Sequence, residues 1–396
     1  MKKLIILSDM NVWHGNTAGV VRMNNYAKAL SDSNKIYLFT SNKIGINNLV
    51  EIEKNIFIQK IETLTSNQTN RFNKIKNNLF FAKSVKNFDN ENSDVDCFLV
   101  YPSTNSSFEF FLFLYLKILS RKTVYYELNE IRKYSLEKVS VFDIKKFIIW
   151  IYNLLKFWTI SFGWFFYDGI ICINKNIADF IHKYNKETVI IPILADIKSI
   201  RNENKPSSNN EFNMFFSGFI SIRKENLEEF FKGLILFDKI CKKWKFELCG
   251  PFEGNDKNIL LKIIKENNLE HKIIFLGNLP HSEVLRKQQE ASLLVLTRGN
   301  NKQNYYGFST KLAEYAVSGT PILLTKTGVV TDFFIDNENC YLVNGYNSQS
   351  FFEGLEKIFN STEEQRNKIA ENALKTAKIN FDYHNYTEKL ENFLFK

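Results

Sequence analysis

The sequence predicts an α/β protein built of two Rossmann-like, doubly wound domains, and three observations carry that reading. The chain has 396 residues, long for one core and comfortable for two. Short apolar runs of β type alternate with stretches of helical spacing along its whole length, which implies parallel sheets covered on both faces. Near the middle, 199–212 loses its apolar periodicity and holds Pro206 and two consecutive serines, the composition of a linker. We therefore expect a domain over 1–198, a linker over 199–212 and a domain over 213–378, followed by a helical stretch over 379–396.

In the first half, strands are expected at 3–8, 35–40, 56–61, 95–101, 123–127, 169–173 and 188–191. The loop DMNVWHGNTAGVVRMNNYAKAL after the first strand leads into helical spacing from Val20 to Leu30. Gly15 and Gly19 do not form G-x-G-x-x-G, which argues against a dinucleotide site. The strand at 123–127 ends in VYYELNEIRKY, so Glu127, Asn129, Glu130 and Arg132 emerge together. Glu127 or Glu130 is a candidate general base for an acceptor hydroxyl; the alternative is a structural carboxylate paired with Arg132. The run 147–167, FIIWIYNLLKFWTISFGWFFY, is long enough to span a bilayer. Asn153, Lys156 and Gly163 within it, and its place between two sheet strands, favour a buried or interface-lying helix. Its Trp residues and the flanking Lys145 and Lys146 suit headgroup level.

In the second half, strands are expected at 213–216, 246–249, 272–276, 292–297 and 322–325. The first leads into SGFISIRKENLEEFFKGL, a glycine turn and helix start carrying Arg223 and Lys224. Basic side chains at the positive end of a helix are mildly unfavourable unless an anion is bound there. Arg298 and Asn300 follow the strand at 292–297. The stretch YYGFSTKLAEYAVSGTPILLTKTG, 305–328, reads as loop, helix, C-terminal glycine and buried strand. Ser309 or Thr310 is the expected N-cap and Gly319 the left-handed terminator. A helix starting on Gly307, Ser309 and Thr310 offers free backbone N–H groups to a phosphate. Glu314, one turn in, is placed to accept from sugar hydroxyls.

The net charge of +9 and pI near 9.0 favour anionic partners such as nucleotide diphosphates or anionic headgroups. The lysines are scattered and form no dense tract, which argues against a nucleic-acid partner. Five widely spaced cysteines have no metal or redox spacing, so buried free thiols in a reducing, cytoplasmic setting are expected. The apolar run opening the chain stops at Asp9, too short for a signal peptide.

The 305–328 segment resembles the nucleotide-sugar signature of retaining glycosyltransferases of family four, which have the GT-B fold: two Rossmann-like domains facing each other across a cleft. Glu314, Tyr315, Ala316, Gly319 and Pro321 match the second half of that signature, while Tyr306 stands where the family has its first glutamate. Gly218 and Lys224 match the family's diphosphate motif, with Phe219 in the arginine position and Glu225 in the following glycine position. The resemblance implies transfer of a sugar from a nucleotide-diphosphate donor to an acceptor hydroxyl with retention, without a metal or cofactor, in assembly of a bacterial surface polysaccharide of capsule or O-antigen type. It assigns donor contacts to Gly218, Arg223, Lys224, Arg298, Tyr306, Gly307, Phe308, Ser309, Thr310 and Glu314, with Lys224 also stabilising the leaving diphosphate. His14, Gly19, Arg22 and Asn25, with Trp13, fall on the acceptor side, and the last stretch, 379–396, resembles the closing helix that packs back toward the first domain in GT-B proteins. The expected partners are the donor, a glycan or lipid-linked acceptor, and the inner face of the cell membrane. A GT-B sugar-nucleotide epimerase and a non-catalytic binding member of an assembly complex are the rival readings.

Overall fold

The computed structural model describes residues 1–10, 13, 17–42, 49–62, 71–92, 94–103, 106–135, 144–185, 187–197 and 211–396. His14 and most of the expected linker, 199–210, lie outside the described residues.

The first sheet comprises β1 (Lys3–Ser8), β2 (Lys35–Asn42), β3 (Val50–Glu53), β4 (Ile56–Glu62), β5 (Cys97–Val100), β6 (Val124–Leu128), β7 (Gly169–Cys172) and β8 (Thr188–Ile190). Their order is β3-β4-β2-β1-β5-β6-β7-β8. Every pairing is parallel except that of β3 with β4. β1 is central, with Leu4 in register with Ile36 on one side and Cys97 on the other. It is buried from Leu4 through Ser8, because helices cover both faces of such a sheet and alternation in the sequence disappears.

The second sheet comprises β9 (Phe212–Ser217), β10 (Trp244–Cys249), β11 (Ile273–Gly277), β12 (Leu293–Leu296), β13 (Ile322–Thr325) and β14 (Tyr341–Val343), in the order β11-β10-β9-β12-β13-β14 and parallel throughout. The strand order reverses between β1 and β5 in the first sheet and between β9 and β12 in the second. At such reversals neighbouring loops part on opposite sides of the sheet and leave a crevice beyond the strands' carboxyl ends.

Two compact units result, Met1–Leu194 with Tyr383–Lys396, and Ala195–Asp382. The helix Thr387–Leu394 therefore belongs to the first unit. It buries Leu390, Phe393 and Leu394 in that unit's core, its Thr387 hydroxyl donates to the Ala29 carbonyl at 2.9 Å, and the Phe393 ring lies 5.1 Å from that of Tyr125.

Strand positions follow the sequence expectation within two residues, and β1 and β13 coincide with it. Two strands were not expected. β3 is an exposed, charged edge, Val-Glu-Ile-Glu, and β14 is three residues long; neither carries an apolar run of useful length. The long apolar helix runs Ile144–Gly163 rather than over 147–167. It stops early because the Asn185 side-chain amide takes the carbonyls of Trp164 and Tyr167 at 3.0 and 2.6 Å, fixing a turn there.

Candidate functional site

In the second unit the crevice starts at the end of β9. Gly218 follows Ser217 with φ of 127°, and a Cβ there would collide with the Lys311 side chain. Gly250, at φ 133°, packs directly against the Gly218 carbonyl. Only glycine fits both demands, a left-handed backbone and the close approach. Ser221 then caps the short helix Ile222–Glu225, its hydroxyl accepting from the Lys224 N–H at 3.1 Å. That helix carries Arg223 and Lys224 and turns Glu225 inward, where it is 1% exposed.

Glu225 is the centre of a charge cluster. It accepts from the Lys311 ammonium at 3.0 Å, and the Arg298 Nε stands 3.7 Å from its other oxygen. Burial would push the Glu225 carboxyl up, yet Lys311, Arg298 and Lys224 together hold it below the usual carboxylate range. Burial lowers the Lys311 ammonium to about 8, with Arg298 and Lys224 pushing the same way against the pull of Glu225. Lys311 also lies 4.2 Å above the Phe216 ring. The site thus sets three cations around one carboxylate and leaves positive charge at the point where the strand order reverses.

The facing wall comes from the chain after β12. The Thr297 hydroxyl donates to the Glu225 carbonyl at 2.7 Å. The Asn301 amide donates to the Arg223 carbonyl at 3.0 Å, and the Asn304 amide to the Lys224 and Gly299 carbonyls at 2.8 Å each. These bonds tie the helix Lys302–Tyr306 to the helix bearing the cations, which fixes the relative positions of Lys224 and Arg298. Tyr306 ends that helix with its ring 5.0 Å from Tyr305. Gly307 follows, its N–H donating to the Gln303 carbonyl at 2.9 Å. A small pocket here is lined by Arg298, Asn304, Gly307, Phe308, Ser309 and Thr327 among others. The Ser309 hydroxyl is buried without a hydrogen-bond partner, a donor that a ligand oxygen would satisfy.

Phe308 lines that pocket from a ring that is buried and stacked on Phe333 at 5.3 Å, so it serves the core as well. Thr310 takes the N-cap position of the following helix, Lys311–Val317, as expected, but in helical conformation and without a side-chain hydrogen bond. Gly319 does take the left-handed position just past that helix, at φ 73°. Tyr315, fully buried, accepts from the Ser217 N–H at 2.9 Å and docks the helix on the end of β9. Burial raises the Glu314 carboxyl, while His281, a hydrogen bond from Gln288 and Lys311 draw it back.

In the first unit the structure corrects several expectations. Glu127 is fully buried, with one oxygen accepting from Arg22 Nε at 2.6 Å and the other from the Tyr26 hydroxyl at 2.8 Å. No oxygen is open to an acceptor, so it is a structural carboxylate and not a base, and its cation is Arg22 rather than Arg132. Arg22 is consumed by that pair and by the carbonyls of Pro192 and Ile191. Asn25 donates to the Leu194 carbonyl at 3.0 Å. Both hold the first unit together and neither is free to meet an acceptor. Gly19 is a packing position, since a Cβ there would meet Met10 Cε at 2.8 Å and Tyr101 at 3.2 Å. Arg132 pairs with buried Glu109 at 2.9 Å. Glu130 stays half-buried at the end of β6.

Sequence reasoning missed Lys311, and with it the role of Glu225. The available signal was a lysine in the first turn of a helix, where its charge opposes the helix's positive end. It also missed Asp9, which sits beside the β1–β5 reversal, hydrogen-bonded by the Ser103 hydroxyl, with its carboxyl raised by burial.

Two doubly wound parallel units, the second with a basic cluster where its sheet order reverses, place the chain in the GT-B fold class. The family Glycosyl transferases group 1 matches residues 199–376, a stretch that takes in most of the second unit. Solved structures share the fold across its length. Sucrose-phosphate synthase from Thermosynechococcus elongatus is 14% identical, with a TM-score of 0.72 over 99% of this chain and 98% of that one. Anabaena HepE in complex with UDP is 15% identical, with 0.68 over 100% and 99%. The α,α-trehalose 6-phosphate synthase of Burkholderia multivorans is 12% identical, with 0.71 over 100% and 98%. A search of curated proteins found no match.

Proposed function

We propose that the protein transfers a sugar from a nucleotide-diphosphate donor to a hydroxyl of a glycan or lipid-linked acceptor, with retention and without a metal, in the assembly of a bacterial surface polysaccharide. The observation that carries the donor half is the buried Glu225–Lys311–Arg298 cluster beside Lys224. As the bond between the anomeric carbon and the diphosphate oxygen breaks, negative charge grows on the leaving group. Fixed cations in a site of low polarity stabilise that charge without reorganising. Lys224 and Arg298 contact the diphosphate, Arg223 adds charge at the rim, and Gly307 with the unbonded Ser309 hydroxyl provides further donors. Glu314 accepts from the ribose. HepE, of the same fold, is solved with UDP, so a uridine donor is tried first. Retention and the polysaccharide setting rest on the family resemblance. On the acceptor side Glu130 is the remaining carboxylate among those expected. Five buried cysteines without disulfides suit a cytoplasmic enzyme.

The test is a thermal-shift screen with UDP, GDP, CMP and their sugar conjugates, followed by NMR of the glycoside formed. A ligand binding only the folded state raises stability by about 2.7 kcal/mol at a hundred times its Kd. One nucleotide diphosphate is expected to stabilise the wild type, and Lys224→Ala to abolish that shift. If no nucleotide acts, or the variant responds like the wild type, the donor site is wrong. Tyr306 in place of a glutamate, and Phe219, 56% exposed, in place of an arginine, favour one second reading, donor binding without transfer. Donor-induced stabilisation with no glycoside formed across a panel of acceptors would select it.

A further inference from the structure

The helix Ile144–Gly163 is apolar on two sides, yet only one of them is covered. Phe157, Ser161 and Trp164 face inward and are buried. On the opposite side Ile148, Tyr152, Leu155, Trp158, Phe162 and Phe166 are 44–60% exposed. Their spacing of three or four residues puts them in one stripe along the helix and the turn that follows. A helix apolar all round belongs in a core or a membrane, and this one keeps half its apolar surface uncovered. Six large side chains at that exposure present roughly 500 Å² or more, at or above the largest apolar patch of an ordinary soluble monomer.

From this stripe we infer that the first unit docks on an anionic lipid bilayer surface, with the helix lying in the headgroup plane. Charge selects the occupant. The helix sequence contains Lys145, Lys146 and Lys156 and no acidic residue, and the Lys156 ammonium lies 4.6 Å from the centre of the Tyr152 ring. A helix rich in lysine, Trp and Tyr, with one lysine beside an exposed ring, suits the boundary between acyl chains and anionic headgroups. A second copy of this helix would bring further cations to the contact and no acidic residue of its own. Spanning is excluded for this segment, because no helix among the described residues is long and apolar enough to cross a membrane. The inference stands on the first unit alone and does not depend on the donor site.

Vesicle flotation of the full chain tests it, using phosphatidylcholine vesicles with and without phosphatidylglycerol. The wild type is expected to float with the anionic vesicles, with a blue shift of tryptophan emission and weaker binding at high salt. Leu155→Glu with Trp158→Glu is expected to lower the binding at least about tenfold. Both side chains are exposed, so circular dichroism and the melting temperature should be preserved. Three results would overturn the proposal: a wild type that stays with the pellet, a folded double variant that floats like the wild type, or a vesicle-independent dimer that the double variant dissociates. The last would make the face a contact between copies of this chain.

Discussion

Lys311 gathers three unfavourable circumstances: burial, neighbouring cations, and a place in a first helical turn. Glu225 offsets them. Removing one member of a buried pair typically costs about 3–5 kcal/mol, because the other charge is left uncompensated. Glu225→Ala should therefore lower the urea midpoint sharply, and the loss should shrink when Lys311→Met is combined with it; additive effects would deny the coupling. The same lysine predicts a pH dependence. Its proton is held to about 8 when folded against 10.5 otherwise, so between those values the unfolded chain binds more protons and stability rises with pH. Compared with Lys311→Met, the wild type should thus gain stability from pH 8 upward. Its affinity for a nucleotide diphosphate should fall over the same range as the ammonium becomes a neutral amine. Calorimetric titration across that window checks the second effect; a flat profile would remove Lys311 from the donor site.

Among the elements, what was legible in the sequence was what neighbouring residues decide. β13 could be read because Gly319 ends the preceding helix and Pro321 opens an apolar run. What escaped was decided at a distance. Glu127 looked like a rim residue because it ends an apolar run, but β6 continues to Leu128 and Arg22, 105 positions away, closes over the carboxylate. The Glu225–Lys311 pair joins residues 86 apart, so the composition of either segment could not announce it. The exposed stripe on Ile144–Gly163 was hidden for another reason: with apolar residues on both sides, periodicity does not reveal which side is covered. The closing helix Thr387–Leu394 gives a prediction at this level. Phe393 packs on Tyr125 and fills the space over Gly169, where a Cβ would strike its ring. Phe393→Ala should destabilise by about 3–5 kcal/mol. Calorimetry should show that loss in the transition of the first unit and none in that of Ala195–Asp382; equal loss in both would contradict the division into units.

At the scale of the whole molecule, two sheets of the same doubly wound logic serve different ends. The second unit concentrates cations at its strand reversal. The first spends its buried Arg22–Glu127–Tyr26 network on holding the helix Ala18–Leu30 to the ends of its strands, and presents an apolar stripe outside. Because Leu390, Phe393 and Leu394 complete the core that Leu4 and Ile6 begin, the order of synthesis and the order of folding part company. A ribosome makes nearly all of the first unit early, yet that unit lacks part of its interior until the whole of Ala195–Asp382 has been translated. During that interval apolar surface around Tyr125 and Ile171 stays open, and holding it apart from other nascent chains falls to chaperones.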